Sequence, residues 1–146
     1  MDFSGDFNID KPLMDVKSFF SDISNVLPCL PGVYDSEISN ESIKCKLKLD
    51  ISGADISSMR TISGRMSFVY RINDSSMNID GSGRIAGSKI TFKIDIGFEN
   101  LNEKSHISWK SSFDFGIMIK MMSRDKLNKI SMENIDKTME CIKSKL

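Results

Sequence analysis

The chain has no long apolar run, no excess of charge of either sign and only one histidine. Its 146 residues include twenty basic and twenty acidic side chains, which cancel, so it lacks the positive field typical of nucleic-acid-binding proteins. Its apolar runs fall far short of the ~20 residues that span a bilayer, and its start lacks the basic and apolar blocks of a signal peptide. We therefore expect a soluble, cytoplasmic protein that binds no nucleic acid.

Cysteine is also scarce, and its spacing matches no recognised pattern. Cys29, Cys45 and Cys141 are odd in number, widely separated and without a Cys-x-x-Cys pair, so neither a disulfide framework nor a zinc site is indicated. We expect free thiols, no metal and no cofactor. The single histidine, His106, alternates in phase with polar residues, which predicts an outward side chain, and no catalytic residue is predicted.

What the chain does contain is a regular alternation of apolar and polar residues. A short alternating segment from Phe3 to Ile9 precedes apolar spacings typical of two short helices, which end before Pro28 and Pro31. From Val33 to Phe115 the period is two, and the short turn-like links favour antiparallel hairpins. The period then becomes helical, with an apolar stripe at Leu127, Ile130, Ile135, Met139, Ile142 and Leu146.

This order of elements predicts a single domain, residues 1–146, of the α+β class. We expect a curved antiparallel sheet of about seven strands that wraps around one long C-terminal helix, with two short helices after the first strand. The sheet is apolar on one face only, so the long helix must cover that face.

Three short motifs resemble those of the carbon monoxide dehydrogenase G-subunit family: Phe3-Ser4-Gly5, Asp10-Lys11-Pro12 and, most specifically, Cys29-Leu30-Pro31-Gly32-Val33. That family belongs to the START and polyketide cyclase-like (SRPBCC) superfamily, which has the helix-grip fold. The resemblance implies an apolar cavity for a quinone-like or lipid-like molecule and association with molybdenum-containing carbon monoxide dehydrogenases. Many members continue into a membrane-anchoring tail, whereas this chain ends at Leu146, a departure from the family pattern that counts against carrying stable anchoring over.

Small residues on the apolar face independently indicate a cavity. Gly64, Gly81, Gly83 and Ser111 fall where a filled core would hold large side chains, although glycine also permits strong bending of a strand or close approach of the long helix. Methionines at the entry to the long helix would adapt to an irregular ligand. The predicted ligand-binding residues are Leu30, Val33, Gly64, Met66, Phe68, Ile79, Gly81, Phe92, Ile94, Trp109, Ser111, Phe113, Met118, Met121 and Met122.

Two other functions stay open. An enzyme of the polyketide cyclase or aromatase kind would need acid and base groups in the cavity, but the inward positions offer only Tyr70, Ser111 and Trp109. A protein-interaction adaptor is also compatible with the pattern, because a fold does not determine a function. We therefore favour noncatalytic binding of an apolar small molecule.

Basic residues near the start of the long helix raise the question of membrane contact. Such a patch can make transient contact with anionic lipid at roughly 1 kcal/mol per residue, which would place the protein at the membrane periphery. A solvated helix face explains the same charges. The residues concerned are Lys120, Arg124, Lys126 and Lys129.

Overall fold

The computed structural model describes residues 1–54 and 59–146. In chain order, the strands are β1 (Asp2–Ile9), β2 (Val33–Ser39), β3 (Ser42–Asp50), β4 (Thr61–Ile72), β5 (Ser76–Ile85), β6 (Ser88–Asn100) and β7 (Ser105–Asp114). The helices are α1 (Leu13–Ser21), α2 (Ile23–Val26), α3 (Met118–Met121) and α4 (Arg124–Lys145), and 3-10 turns follow α2 at Leu27–Cys29 and β3 at Ser52–Ala54.

The strands form one antiparallel sheet in the order β1-β7-β6-β5-β4-β3-β2. Strands β2 to β7 are joined as successive hairpins, while β1 pairs with β7 at the far edge. One of the two-residue turns is Ala86-Gly87, where both residues have positive φ, 50° and 78°. Positive φ at both central residues is what a two-residue hairpin requires.

The outer face of the sheet is polar, as the alternation predicts. His106 lies there opposite Asn8, with its Nδ1 2.6 Å from the Asn8 Oδ1 and its Nε2 3.2 Å from the Asp6 Oδ2. These contacts confirm the outward orientation predicted for this ring.

The two short helices fill one end of the inner face. Val16 and Phe20 of α1 and Ile23 of α2 are almost fully buried, and the Phe20 ring lies 5.4 Å from the Phe98 ring. Together with the C-terminal end of α4 they form what we call the filled core. Its buried members include Val16, Phe20, Ile23, Val26, Ile43, Cys45, Phe68, Met77, Phe92, Ile96, Phe98, Ile107 and Ile142.

The expectation of three free thiols is wrong. Cys29 and Cys141 form a disulfide across a sequence separation of 112 residues, which joins the 3-10 turn after α2 to the last part of α4. Cys45 is free and buried, and burial raises the pKa of its thiol. The spacing of the cysteines in the sequence does not predict this pair, because the two residues meet only where α4 packs back across the sheet.

Candidate functional site

A cavity lies between α4 and the end of the sheet that α1 and α2 do not fill. Its volume is about 270 Å³, close to the lower end of the range of ~300 to 1,000 Å³ typical of small-molecule sites. The sheet side is lined by Leu47, Leu49, Ile62, Met66, Ile85, Ile90, Ile94, Trp109, Ser111 and Phe113. The other walls are Leu30 and Pro31, then Phe115, Met118 and Met122, and the α4 residues Leu127, Ile130, Ser131, Asn134, Ile135, Thr138 and Met139.

The cavity exists because α4 is fixed at its ends rather than along its middle. Leu127 and Ile130 are buried near its start, and Ile142 is buried near its end, next to the disulfide at Cys141. Between Ile130 and Ile142, the inward residues of α4, such as Ile135, are half-buried. They line the cavity instead of packing into the sheet. The middle of α4 therefore spans an opening.

Polar side chains on this stretch of α4 are turned back onto their own helix. Asn134 donates from Nδ2 to the Ile130 carbonyl at 2.8 Å, and Thr138 donates from Oγ1 to the Asn134 carbonyl at 2.8 Å. Hydrogen bonds of this kind satisfy the polar groups locally. The wall that α4 presents to the cavity is therefore less polar than its sequence implies.

The short segment before α4 closes one side of the cavity. Ser88 donates from Oγ to the Phe115 carbonyl at 2.8 Å and accepts from the Met118 N–H at 3.1 Å. Gly116 has a φ of 57°, a backbone conformation that favours glycine. These contacts place Met118 and Met122 against the cavity, both almost fully buried.

Glycines in two of the sequence motifs also shape the walls. Gly32 has a φ of 74°, and a Cβ there would collide with the Lys48 carbonyl. The turn it permits brings Leu30 and Pro31 to the cavity. Gly5 makes room for Trp109, because a Cβ there would lie 2.8 Å from the Cζ2 atom of the indole.

The described walls of the cavity are uncharged. Within residues 1–54 and 59–146, no Lys, Arg, Asp, Glu or His lines the cavity. An isolated charge transferred into such a site would lose its hydration without gaining a partner. The arrangement therefore suits a neutral, mostly hydrocarbon guest.

The glycines on the inner face do not leave the open space expected of them. A Cβ on Gly81 would collide with the Phe92 ring, and one on Gly64 or Gly83 would collide with backbone of the neighbouring strand. Close approach of strands and coverage by an aromatic ring thus account for all three. The cavity lies elsewhere on the same face.

Eight of the fifteen predicted ligand-binding residues line the cavity: Leu30, Met66, Ile94, Trp109, Ser111, Phe113, Met118 and Met122. Seven do not: Val33, Gly64, Phe68, Ile79, Gly81, Phe92 and Met121. Most of the second set face inward but lie in or against the filled core, whereas Met121 is 48% exposed. Alternation identifies the inward face but not which end of it is hollow.

The cavity residues missing from the prediction carried a usable signal. Four of them, Leu127, Ile130, Ile135 and Met139, belong to the apolar stripe recognised on the long helix. Others, such as Leu47 and Ile90, are inward members of recognised strands. The inward residues of the recognised strands, together with the apolar stripe of the long helix, therefore include most of the cavity wall.

Solved structures with the same architecture include proteins of known superfamily. A conserved protein from Geobacillus kaustophilus superposes with a TM-score of 0.84 at 13% identity, covering 99% of this chain and 94% of that one. The Zhui aromatase/cyclase from Streptomyces sp. R1128 gives 0.71 at 10% identity, covering 99% and 92%. A START superfamily protein from Mycobacterium smegmatis gives 0.63 at 9% identity, covering 99% and 95%. At these identities the likeness shows the fold alone.

The structure is therefore a START-like helix-grip domain, as predicted, with an apolar cavity beneath its long helix. The sequence model of the carbon monoxide dehydrogenase G subunit (CoxG) matches residues 5–146. The chain belongs to this CoxG family. None of the curated proteins compared with it matches. In the described parts of the chain, no helix is long and apolar enough to cross a membrane.

Proposed function

We propose that this domain binds one neutral, largely apolar molecule, quinone-like or lipid-like, without transforming it. The observation that carries the proposal is the cavity itself, about 270 Å³ in volume, with walls free of charged side chains throughout the described residues. A packed interior normally leaves few voids larger than a water molecule. A space of this size in a small domain is expected to hold a guest.

The composition of the walls supports binding over catalysis. General acid–base chemistry needs a titratable group within hydrogen-bond reach of the reacting atom, and the described cavity residues offer no carboxylate, histidine, lysine or tyrosine. The fold shared with an aromatase/cyclase keeps an enzyme as the second candidate. Turnover of a bound aromatic polyketide would favour that candidate.

Membership in the CoxG family supports a role beside a carbon monoxide dehydrogenase-type molybdenum oxidoreductase. In this proposal the domain supplies or accepts the apolar molecule for such an enzyme. A tagged copy expressed in its native cell should co-purify with molybdenum hydroxylase subunits. Their absence from the purified fraction under mild detergent-free conditions would argue for a different partner.

Exposed residues in and next to α3 support a transient contact of the protein with a membrane. The membrane would be the source of the apolar guest. Ile117, Ile119 and Met121 are 57%, 37% and 48% exposed, beside the exposed Lys120 and Arg124. Apolar side chains flanked by basic ones are typical of interfacial binding. Sedimentation with anionic but not neutral vesicles would agree with this contact, and it should weaken in an Ile119→Ser, Met121→Ser variant.

Trp109 offers a direct test of binding, because it is the only tryptophan of the chain and lines the cavity. The protein should first be extracted with organic solvent and the extract examined by mass spectrometry. The refolded, extracted protein is then titrated with 2,3-dimethyl-1,4-naphthoquinone, whose blocked ring positions do not alkylate thiols. Saturable quenching at one molecule per chain is expected. Linear, unsaturable quenching would contradict the proposal.

A further inference from the structure

Ser111 is an anomaly in the cavity wall. The residue is 7% exposed, and its Oγ is the one buried side-chain oxygen or nitrogen of the described residues that lacks a hydrogen-bond partner. Its cross-strand neighbours are Phe3 and Ile94, and Trp109 and Phe113 flank it on the same face of β7. A hydroxyl surrounded by apolar groups loses hydration and gains nothing in return.

The need for a small residue does not account for this serine. Alanine would leave as much room in the wall and would carry no polar atom to desolvate. Unpaired buried polar groups are rare in folded proteins, and the residue that carries this one lines a cavity sized for a guest. The missing partner is therefore expected on the guest.

The other polar groups of the wall are less able to serve. The Thr138 hydroxyl hydrogen is already donated to the Asn134 carbonyl. The Asn134 amide donates one of its hydrogens to the Ile130 carbonyl and is only half-buried, so the rest of the amide keeps access to water. Ser131 is only half-buried, so it keeps access to water. Among the described wall residues, Ser111 is thus the one buried hydroxyl with an uncommitted hydrogen.

We propose that Ser111 anchors an uncharged oxygen of the guest, a carbonyl or hydroxyl group, while the rest of the guest contacts only apolar walls. This inference rests on the proposed binding function and narrows its ligand class. The guest would be neutral, carry an oxygen on a hydrocarbon skeleton and enter with that oxygen toward β7. A fatty acid carboxylate or a charged headgroup is not expected at this position.

Two probes with the same skeleton isolate the contribution of the oxygen. 1-Tetralone carries one carbonyl, and tetralin is the same bicyclic hydrocarbon without it. Each is used to displace the neutral fluorophore N-phenyl-1-naphthylamine from extracted protein. The variants are Ser111→Ala and, as a matched control, Ser112→Ala, whose side chain is exposed. Both changes remove one hydroxyl from adjacent residues of β7.

We expect Ser111→Ala to weaken 1-tetralone binding about tenfold, the equivalent of one hydrogen bond, and to leave tetralin binding unchanged. Ser112→Ala should leave both unchanged. Equal affinity of wild type and Ser111→Ala for 1-tetralone, with normal tetralin binding, would overturn the anchor while leaving the binding function standing. Failure of the fluorophore and both probes to bind wild type would overturn the binding function and the anchor with it.

Discussion

The two ends of the sheet–helix interface differ in what fills them. At one end, α1 and α2 pack Val16, Phe20 and Ile23 into one buried cluster with Ile142 of α4, and the Cys29–Cys141 bond fixes the helix in place. At the other end, α3 closes only the side, and about 270 Å³ stays open. We call the second region the cavity end.

The difference shows that one sheet with uniform alternation can support two kinds of interior. The inward residues of the strands are apolar at both ends, so the sheet alone does not decide which end is hollow. The two short helices determine which end is hollow, because they cover only the other end. Stability is therefore expected to come mainly from the filled core, and binding from the cavity end.

The largest contrast should appear between two isoleucines of α4. Ile142 is 4% exposed in the filled core, so Ile142→Ala is expected to lower the free energy of unfolding by about 2 to 4 kcal/mol. Ile135 faces the cavity and is half-buried, so Ile135→Ala should lower it by less than about 1 kcal/mol, because Ile135 is packed into neither buried cluster. Urea denaturation of both extracted variants measures this, and equal losses would remove the distinction between the two ends.

The disulfide should contribute nearly as much at the filled end. Cys141→Ser is expected to lower the free energy of unfolding by about 2 to 4 kcal/mol, because it releases a long closed loop. Reductant should destabilise wild type by a similar amount and leave Cys141→Ser unaffected. Thiol titration of the unfolded wild type should find one thiol before reduction and three after it, given the three cysteines of the chain. Three thiols before reduction would refute the bond.

A third change sharpens the boundary between the two regions. Gly81 lies beneath the Phe92 ring, so Gly81→Leu should overpack this part of the sheet and lower stability by about 1 to 3 kcal/mol. The melting temperature of the extracted protein measures this. A Gly81→Leu variant that is as stable as wild type and no longer binds naphthoquinone would instead place the cavity here.

The smallest effect is expected on the outer face. His106→Ala removes contacts to Asn8 and Asp6 at the surface, and such contacts contribute less than about 1 kcal/mol. Naphthoquinone binding should be unchanged, because the ring lies on the opposite side of the sheet from the cavity. A tenfold loss of naphthoquinone affinity, measured by calorimetry, would contradict this independence of the two faces of the sheet.

The sequence predicts the fold well because its signals are local. Alternation predicts the inward set of strands such as β3 and β6, and the spacing of Leu13, Val16 and Phe20 predicts α1. The disulfide and the position of the cavity depend instead on where distant elements meet. Cys29 and Cys141 are 112 residues apart, and Phe68 and Met66 have the same inward pattern although only Met66 lines the cavity.

The glycines show the same limit in another way. A glycine on an inward face is equally consistent with empty space and with a close neighbour, since the sequence does not record which side chain lies opposite. Phe92 occupies the space above Gly81, and the backbone of the next strand lies against Gly64. The sequence also does not show that the buried hydroxyl of Ser111 lacks a hydrogen-bond partner. Only the structure shows this, because it gives the neighbours of that residue.

The most direct test of the account uses two isoleucines of β6 that lie on the same face, two residues apart. Ile94 lines the cavity, while Ile96 belongs to the filled core and is 9% exposed. Ile94→Trp should fill the cavity and abolish calorimetric binding of 1-tetralone while preserving the stability of the extracted protein. Ile96→Trp should retain binding but lose about 1 to 3 kcal/mol of stability through overpacking. Unimpaired 1-tetralone binding by a folded Ile94→Trp variant would contradict the claim that the guest occupies the space beneath α4.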